Sequence, residues 1–136
     1  MPSPGGVLAP NFDTLFSGQL GFQTPLTLPA VTQATNRTTA VLLNAYAGQI
    51  TTNNASLAAE AAAEFTVSNN LVTINDVVTL VQQSGSNGGN TDVYVSTVAN
   101  GSFKIKVANN NAGAGTAETG AIILNFAVIK VLPVAP

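Results

Sequence analysis

An Asn-Gly pair between two alternating runs is the feature that most limits what this chain can fold into. Asn100-Gly101 separates residues 93–98 from residues 103–107. The second run alternates three apolar residues with two lysines: Phe103, Lys104, Ile105, Lys106 and Val107. Asn-Gly is the preferred pair for a type I′ turn, in which both central residues have positive φ. A period of two is that of a strand with one buried and one solvated face. The sequence therefore predicts a β-hairpin with a type I′ turn here.

Further strand-like runs occur on both sides of this hairpin, and loops rich in Asn and Gly separate them. They are residues 40–44, 48–52, 65–68, 77–82 and 121–131. The last run is apolar at both its odd and its even positions, so both faces of the strand are apolar. This predicts a central strand, or one whose second face meets another subunit. Seven or eight short strands at this spacing predict an all-β chain that forms a single β-sandwich, jelly-roll-like or Ig-like.

One segment argues for a helix by its composition. Residues 56–64 are rich in alanine, a strong helix former. The segment is short for an isolated helix, and it runs directly into the strand that contains Phe65. We therefore expect a loop with a turn, followed by a strand that begins near Ala62.

The first thirty residues differ from the rest of the chain. Five of its seven prolines lie there. The same segment holds a set of large apolar residues: Phe12, Leu15, Phe16, Leu20 and Phe22. This composition predicts an extended N-terminal arm that buries its aromatic side chains against its own domain or a neighbouring subunit. We divide the chain into an arm, residues 1–30, and a β-sandwich domain, residues 31–136.

The polar part of the chain carries few charges. Only 7% of the residues are charged, against about 25% in ordinary domains, and neutral Thr, Asn, Ser and Gln replace them. Such a surface enters an interface at a lower desolvation cost than a charged one. The net charge is −2 with four basic residues, too few for a nucleic-acid partner. No apolar run is long enough to span a membrane, so we expect no membrane partner either.

The residue types on which most enzymes depend are missing. The chain has no His and no Cys, which excludes Ser-His-Asp and Cys-His nucleophiles and the common zinc and copper sites. Glu60 and Glu64 are four residues apart, but nothing near them predicts the opposed acid and base of a glycosidase. We expect no enzymatic activity, no catalytic residue and no cofactor.

Oxygen ligands for calcium are the remaining metal hypothesis. Asp76 and Asp92, with Asn75 and Asn90 beside them, offer suitable oxygens, but no Asp-x-Asp-x-Asp-Gly loop is present. The competing interpretation is that Asp76 supports the turn before the next strand by a side-chain to backbone hydrogen bond. We favour that interpretation and expect no metal site.

Several stretches together resemble a known family. They are VTQATNRTT at 31–39, GQIT at 48–51, SLAA at 56–59, FTVSN at 65–69, DVV at 76–78, VANGSF at 98–103 and NFAVIK at 125–130. In order and spacing they resemble small β-sandwich virion proteins of tailed phages, including phages of cyanobacteria, over about three-quarters of the chain. A glycine commonly follows Ser-Leu-Ala-Ala in that family, whereas Glu60 stands there in this chain.

The resemblance implies a part of the virion and a homotrimer. The leading hypothesis is a capsid decoration (cement) protein on the outer surface of the capsid, which bridges neighbouring copies of the major capsid protein. The arm residues would then form the capsid or subunit interface, and Tyr46 and Tyr94 are possible trimer contacts. The alternative is a head- or tail-fibre module that binds host-surface carbohydrate through loops 84–90 and 109–115.

Overall fold

Eight β-strands account for the regular structure of the part of the chain that the structure describes. The computed structural model describes residues 27–85 and 90–132, and within these ranges it contains no helix. The strands are β1 (Ala30–Thr32), β2 (Val41–Leu42), β3 (Ala47–Thr51), β4 (Ala62–Ser68), β5 (Val77–Ser84), β6 (Thr91–Ala99), β7 (Ser102–Asn109) and β8 (Ile123–Ile129). The all-β prediction is confirmed, and each strand-like run of the sequence overlaps one of these strands.

Two sheets of four strands form a β-sandwich, as predicted. Sheet one has the order β1-β3-β8-β5, and sheet two has the order β2-β4-β7-β6. The pairs β1–β3 and β2–β4 are parallel, and the other pairs are antiparallel. Strand β8 lies between β3 and β5, which confirms the prediction of a central strand for the apolar run near the C-terminus.

The core lies between the two sheets and is built from alternate residues of their strands. Phe103, Ile105 and Val107 of β7 are buried, while Lys104 and Lys106 point away from the core, as the alternation predicted. Beside them in sheet two are Phe65 and Val67 of β4, and across the core in sheet one are Ile50, Leu124, Phe126 and Val128. The rings of Phe103 and Phe126 join the two sheets, with centroids 5.2 Å apart. Burial of one side chain of this size contributes about 1.5–3 kcal/mol.

The turn at Asn100-Gly101 differs from the predicted type I′ turn. Gly101 has a φ of 80°, but Asn100 is not among the residues with positive φ. The side chain of Asn100 accepts a hydrogen bond from the Ile74 N–H at 2.9 Å. Gly101 donates to the carbonyl of Val72 and accepts from the N–H of Asn69, both at 2.9 Å. These contacts hold the hairpin tip against loop 69–74. The type I′ turn, predicted from the preference of Asn-Gly in isolated hairpins, was therefore wrong.

The alanine-rich segment forms a turn and not a helix, as expected. The Ala61 N–H donates to the carbonyl of Ala58 at 3.1 Å, and β4 begins at Ala62. Glu60 lies in this turn with a φ of 61°. That is the left-handed region, where glycine is favoured over residues with a Cβ.

Some of the neutral polar residues have a structural role inside the protein. Three side-chain amides are buried at the ends of strands and in loops: Gln33, Asn69 and Asn109. Asn69 donates to the carbonyl of Ala45 at 2.7 Å and accepts from the N–H of Leu71 at 3.1 Å. Buried amides therefore satisfy the backbone groups of loops, and this part of the Asn and Gln content does not indicate a covered surface.

Candidate interaction surface

The outer face of sheet one carries no charged residue. We call this surface the uncharged face and define it as the outward residues of β1, β3, β5 and β8. Their alternate neighbours, such as Ile50 and Leu124, point into the core. Its apolar members are Ala30, Ala47, Val77, Val81, Ile123, Ala127 and Ile129. Its polar members are Thr32, Gln49, Thr51, Thr79, Ser84 and Asn125.

The large apolar side chains of the uncharged face are grouped towards β5. Val77 is 50% exposed and Val81 62%, and Ile129, which pairs with Val77, is 49% exposed. Val131 and Leu132 follow β8 and are 48% and 73% exposed. Single exposed apolar residues are ordinary, but neighbouring ones on one sheet face indicate a surface that binds another molecule.

Some polar side chains of the uncharged face form hydrogen bonds within the face, namely Gln49, Asn125 and Thr79. The Gln49 amide donates to the Asn125 Oδ1 at 3.1 Å, across the pair β3–β8. The Thr79 hydroxyl donates to the carbonyl of Ala127 at 3.3 Å. Because these groups already have partners in the protein, covering this face removes less hydration than covering free amides and hydroxyls would.

Sheet two has the opposite character on its outer face. Glu64, Asp92, Lys104 and Lys106 all lie there. The Lys104 Nζ lies 3.3 Å from the Glu64 Oε1, and Ser96 donates to the other carboxylate oxygen at 2.9 Å. The hydrogen bond from Ser96, followed by the effect of Lys104, lowers the pKa of Glu64. The two faces of the sandwich are therefore chemically distinct, one charged and one neutral.

Asp76 is buried at the start of β5 and holds three segments together. The Lys130 Nζ lies 2.5 Å from its Oδ2, the Thr73 N–H donates to the same oxygen at 2.8 Å, and the Val131 N–H donates to Oδ1 at 3.1 Å. Burial would by itself raise the pKa of Asp76, but these hydrogen bonds outweigh it and the pKa lies well below its usual value. The bond to Thr73 is the turn-supporting contact that the sequence favoured.

Arg37 and Glu118 are buried near one another in the loops. They are 5% and 1% exposed. The Arg37 side chain donates to the carbonyl of Ala55 and, at 2.8 Å, to that of Gly120. Burial lowers the pKa of Arg37, and the negative charge of Glu118 opposes that shift. These charges fix loops to each other and do not contribute to either outer face.

The structure places the predicted interface residues as follows. Tyr46 precedes β3 in sheet one, and Tyr94 lies on β6 in sheet two, with exposures of 43% and 45%. They belong to different sheets, and their role as trimer contacts stays a prediction. The predicted arm contacts all fall outside the described residues: Phe12, Leu15, Phe16, Leu20 and Phe22.

The oxygen groups considered for acid–base chemistry or calcium are dispersed. Glu60 lies in the turn before β4, whereas Glu64 lies on β4 and forms an ion pair with Lys104 of β7. Asp76 is occupied by Lys130 and by backbone N–H groups. Within residues 27–85 and 90–132, no group of three or more Asp, Glu, His or Cys residues is placed to hold a metal ion.

The residues of the uncharged face were missed by reasoning from the sequence. Val77 and Val81 were assigned only to a strand, whereas the run that contains Ile129 was given a second face that could meet another subunit. The pairing that puts these residues on one surface joins segments far apart in the chain. A signal was present: residues 77–91 contain no charged residue, and neither do residues 119–129. Absence of charge at the outward positions of neighbouring strands would have indicated this face.

No protein-family model, no curated protein and no solved structure matches this chain. Among the described residues there is no helix of the length and apolar character needed to cross a membrane.

Proposed function

We propose that this chain is a phage capsid decoration (cement) protein, a homotrimer that binds the outer surface of the capsid and bridges neighbouring major capsid subunits. The observation that carries the proposal is the uncharged face of sheet one. An exposed surface with no charge and with grouped Val and Ile side chains is suited to permanent cover by protein. The resemblance of residues 31–130 to small virion proteins of tailed phages points in the same direction.

A cement protein acts through many modest contacts made at once. A shell under internal pressure gains stability from each subunit that joins two capsomers. Three chains in one trimer act together, since the second and third contacts form at a high effective concentration. The small sandwich supplies a rigid body for a site on a threefold axis, and the predicted N-terminal arm supplies further contacts with the capsid or with a sister subunit. No step of this role requires catalysis, so we propose a structural protein and not an enzyme.

Copy number separates this function from the fibre alternative. Quantitative mass spectrometry of purified virions measures the ratio of this chain to the major capsid protein. A cement protein is present in hundreds of copies per head, in fixed ratio to the capsid protein. A few copies per virion, lost when tails are removed, would overturn the proposal in favour of a fibre module. Absence from virions would overturn both.

A further inference from the structure

Strand β5 is a long edge strand of sheet one that carries neither a charge nor a proline. It has eight residues, and it pairs only with β8 among the described strands. The other edges are shorter or blunted: β1 has three residues and β2 two. Strand β6 carries the charge of Asp92 and has a register shift in its middle, between Val95 and Thr97. The register shift of β5 lies near its end, between Gln82 and Ser84, and leaves residues 77–82 in regular pairing with β8. Long uncharged edges readily pair with another strand, and proteins normally block them. The β5 edge is therefore the candidate site for an added strand.

The N-terminal part of the chain contains a segment with the pattern of such a strand. Residues 11–24 lie between two prolines and contain none, and Asp13 is their one charge. Large apolar residues stand at even positions: Phe12, Phe16, Leu20 and Phe22. Except for Leu15, the odd positions are polar or glycine. An extended segment with this period presents one apolar side, which matches the exposed Val77 and Val81 of β5.

The distance between the two ends of sheet one argues against pairing within one chain. The carbonyl of Pro29 accepts a hydrogen bond from the Gln49 N–H at 2.9 Å, which fixes the chain beside β3. A strand added beyond β5 lies four strand spacings from β1, about 19 Å. Four residues separate Thr24 from Pro29, and the five Cα-to-Cα steps between them span at most about 18 Å when fully extended. A strand that runs as far as Thr24 therefore falls short of the β5 edge of its own chain, which favours pairing with another copy.

We propose that residues 11–24 of one copy pair as an added strand with the free edge of β5 in a neighbouring copy. Each copy gives one strand and receives one, so the contact is heterologous, and three such contacts close a ring. The inference rests on the homotrimer of the proposed function and identifies what joins its subunits. It also explains why β5 keeps no charge of its own: the edge is covered in the assembled protein.

Disulfide trapping tests the pairing directly, because the chain has no cysteine. Val81→Cys is combined in turn with Thr14→Cys, Phe16→Cys and Gly18→Cys, since the register is open, and the oxidised proteins are run without reductant. Strand pairing brings Cα atoms within the range of about 4.4–6.8 Å that a disulfide needs. We expect linked dimers and trimers for at least one combination. The matched control replaces Val81→Cys by Thr97→Cys on β6 and gives no links.

Two results would overturn the proposal: no link between Val81→Cys and any of the three arm positions, or an internal disulfide in monomers only. A second measurement does not depend on register. Val81→Glu puts a carboxylate on the β5 edge, and Thr97→Glu puts one on the exposed β6 edge. By sedimentation equilibrium, we expect Val81→Glu to weaken subunit association roughly tenfold or more and Thr97→Glu to leave it unchanged. Equal association of the two variants would also refute strand exchange.

The test of strand exchange and the test of the cement function can fail independently of each other. Linked trimers from a chain that is absent from phage heads would overturn the cement function and support strand exchange. Decorated heads in which the Val81→Cys variants form no link between subunits would do the reverse.

Discussion

Replacing Glu60 by glycine should stabilise the protein. Glu60 has a φ of 61° and an exposed side chain. A residue with a Cβ in the left-handed region costs about 1–2 kcal/mol. The greater freedom of glycine in the unfolded chain returns about 0.4–1 kcal/mol of that. The net gain in the free energy of unfolding is therefore about 1 kcal/mol, which raises the Tm of a chain of 136 residues by about 3–4 °C.

Urea unfolding followed by circular dichroism, with a thermal scan in parallel, measures the effect of Glu60→Gly. The matched control is Glu60→Ala, which removes the carboxylate but keeps the Cβ and should change stability little. Ala59→Gly, next to it and outside the positive-φ region, should lower stability by about 0.5–1 kcal/mol. If Glu60→Gly is no more stable than Glu60→Ala, the turn does not hold this residue in the left-handed region and the reasoning fails.

Three further predictions concern the buried polar groups and the arm. Asn69→Ala should lower the free energy of unfolding by about 2–3 kcal/mol, because it leaves a buried carbonyl and an N–H unsatisfied. The control, Asn70→Ala at an exposed position, should change it by less than about 0.5 kcal/mol. Urea unfolding compares the two variants, and equal losses of stability would contradict the role of the buried amide. The pKa of Asp76 is lowered in the folded protein, so its carboxylate contributes fully to the free energy of unfolding above the unfolded pKa of about 3.9, and this contribution is lost as the pH falls below that value. In urea titrations from pH 6 to pH 2.5, the native protein should lose stability more steeply than Asp76→Asn. Parallel curves would count against the buried contact. Deletion of residues 1–25 should leave the β-sandwich folded by circular dichroism but abolish binding to undecorated capsids in a pelleting assay, and normal decoration by the truncated chain would disprove the role of the arm.

Local pattern was sufficient to predict the strands, because the alternation of side chains between core and solvent is a short-range property. Lys104 and Lys106 identified the outward face of β7, and the start of β4 at Ala62 followed from the failure of residues 56–64 to make a helix of useful length. The type I′ turn was wrong for a long-range reason: the amide of Asn100 is used to bind Ile74 in another loop. A rule based on neighbours in sequence contains no information about such a contact.

The interaction surface was harder to predict than the fold, since it depends on strand order. Val77 and Ile129 are adjacent only because β5 pairs with β8, and the sequence does not specify that pairing. The low charge of the chain was interpreted as a surface made to be covered. That interpretation holds for only part of the neutral residues. Gln33, Asn69 and Asn109 are buried inside the protein, whereas the outward positions of sheet one are both neutral and exposed.

Electron microscopy of the virion, with density assigned to this chain, tests the central proposal most directly. We expect trimeric β-sandwiches in regular positions over the capsid, each bridging neighbouring major capsid subunits. We also expect a strand from a sister subunit along β5. Density for this chain confined to the tail or to fibres, or an intact capsid surface without it, would refute the cement function.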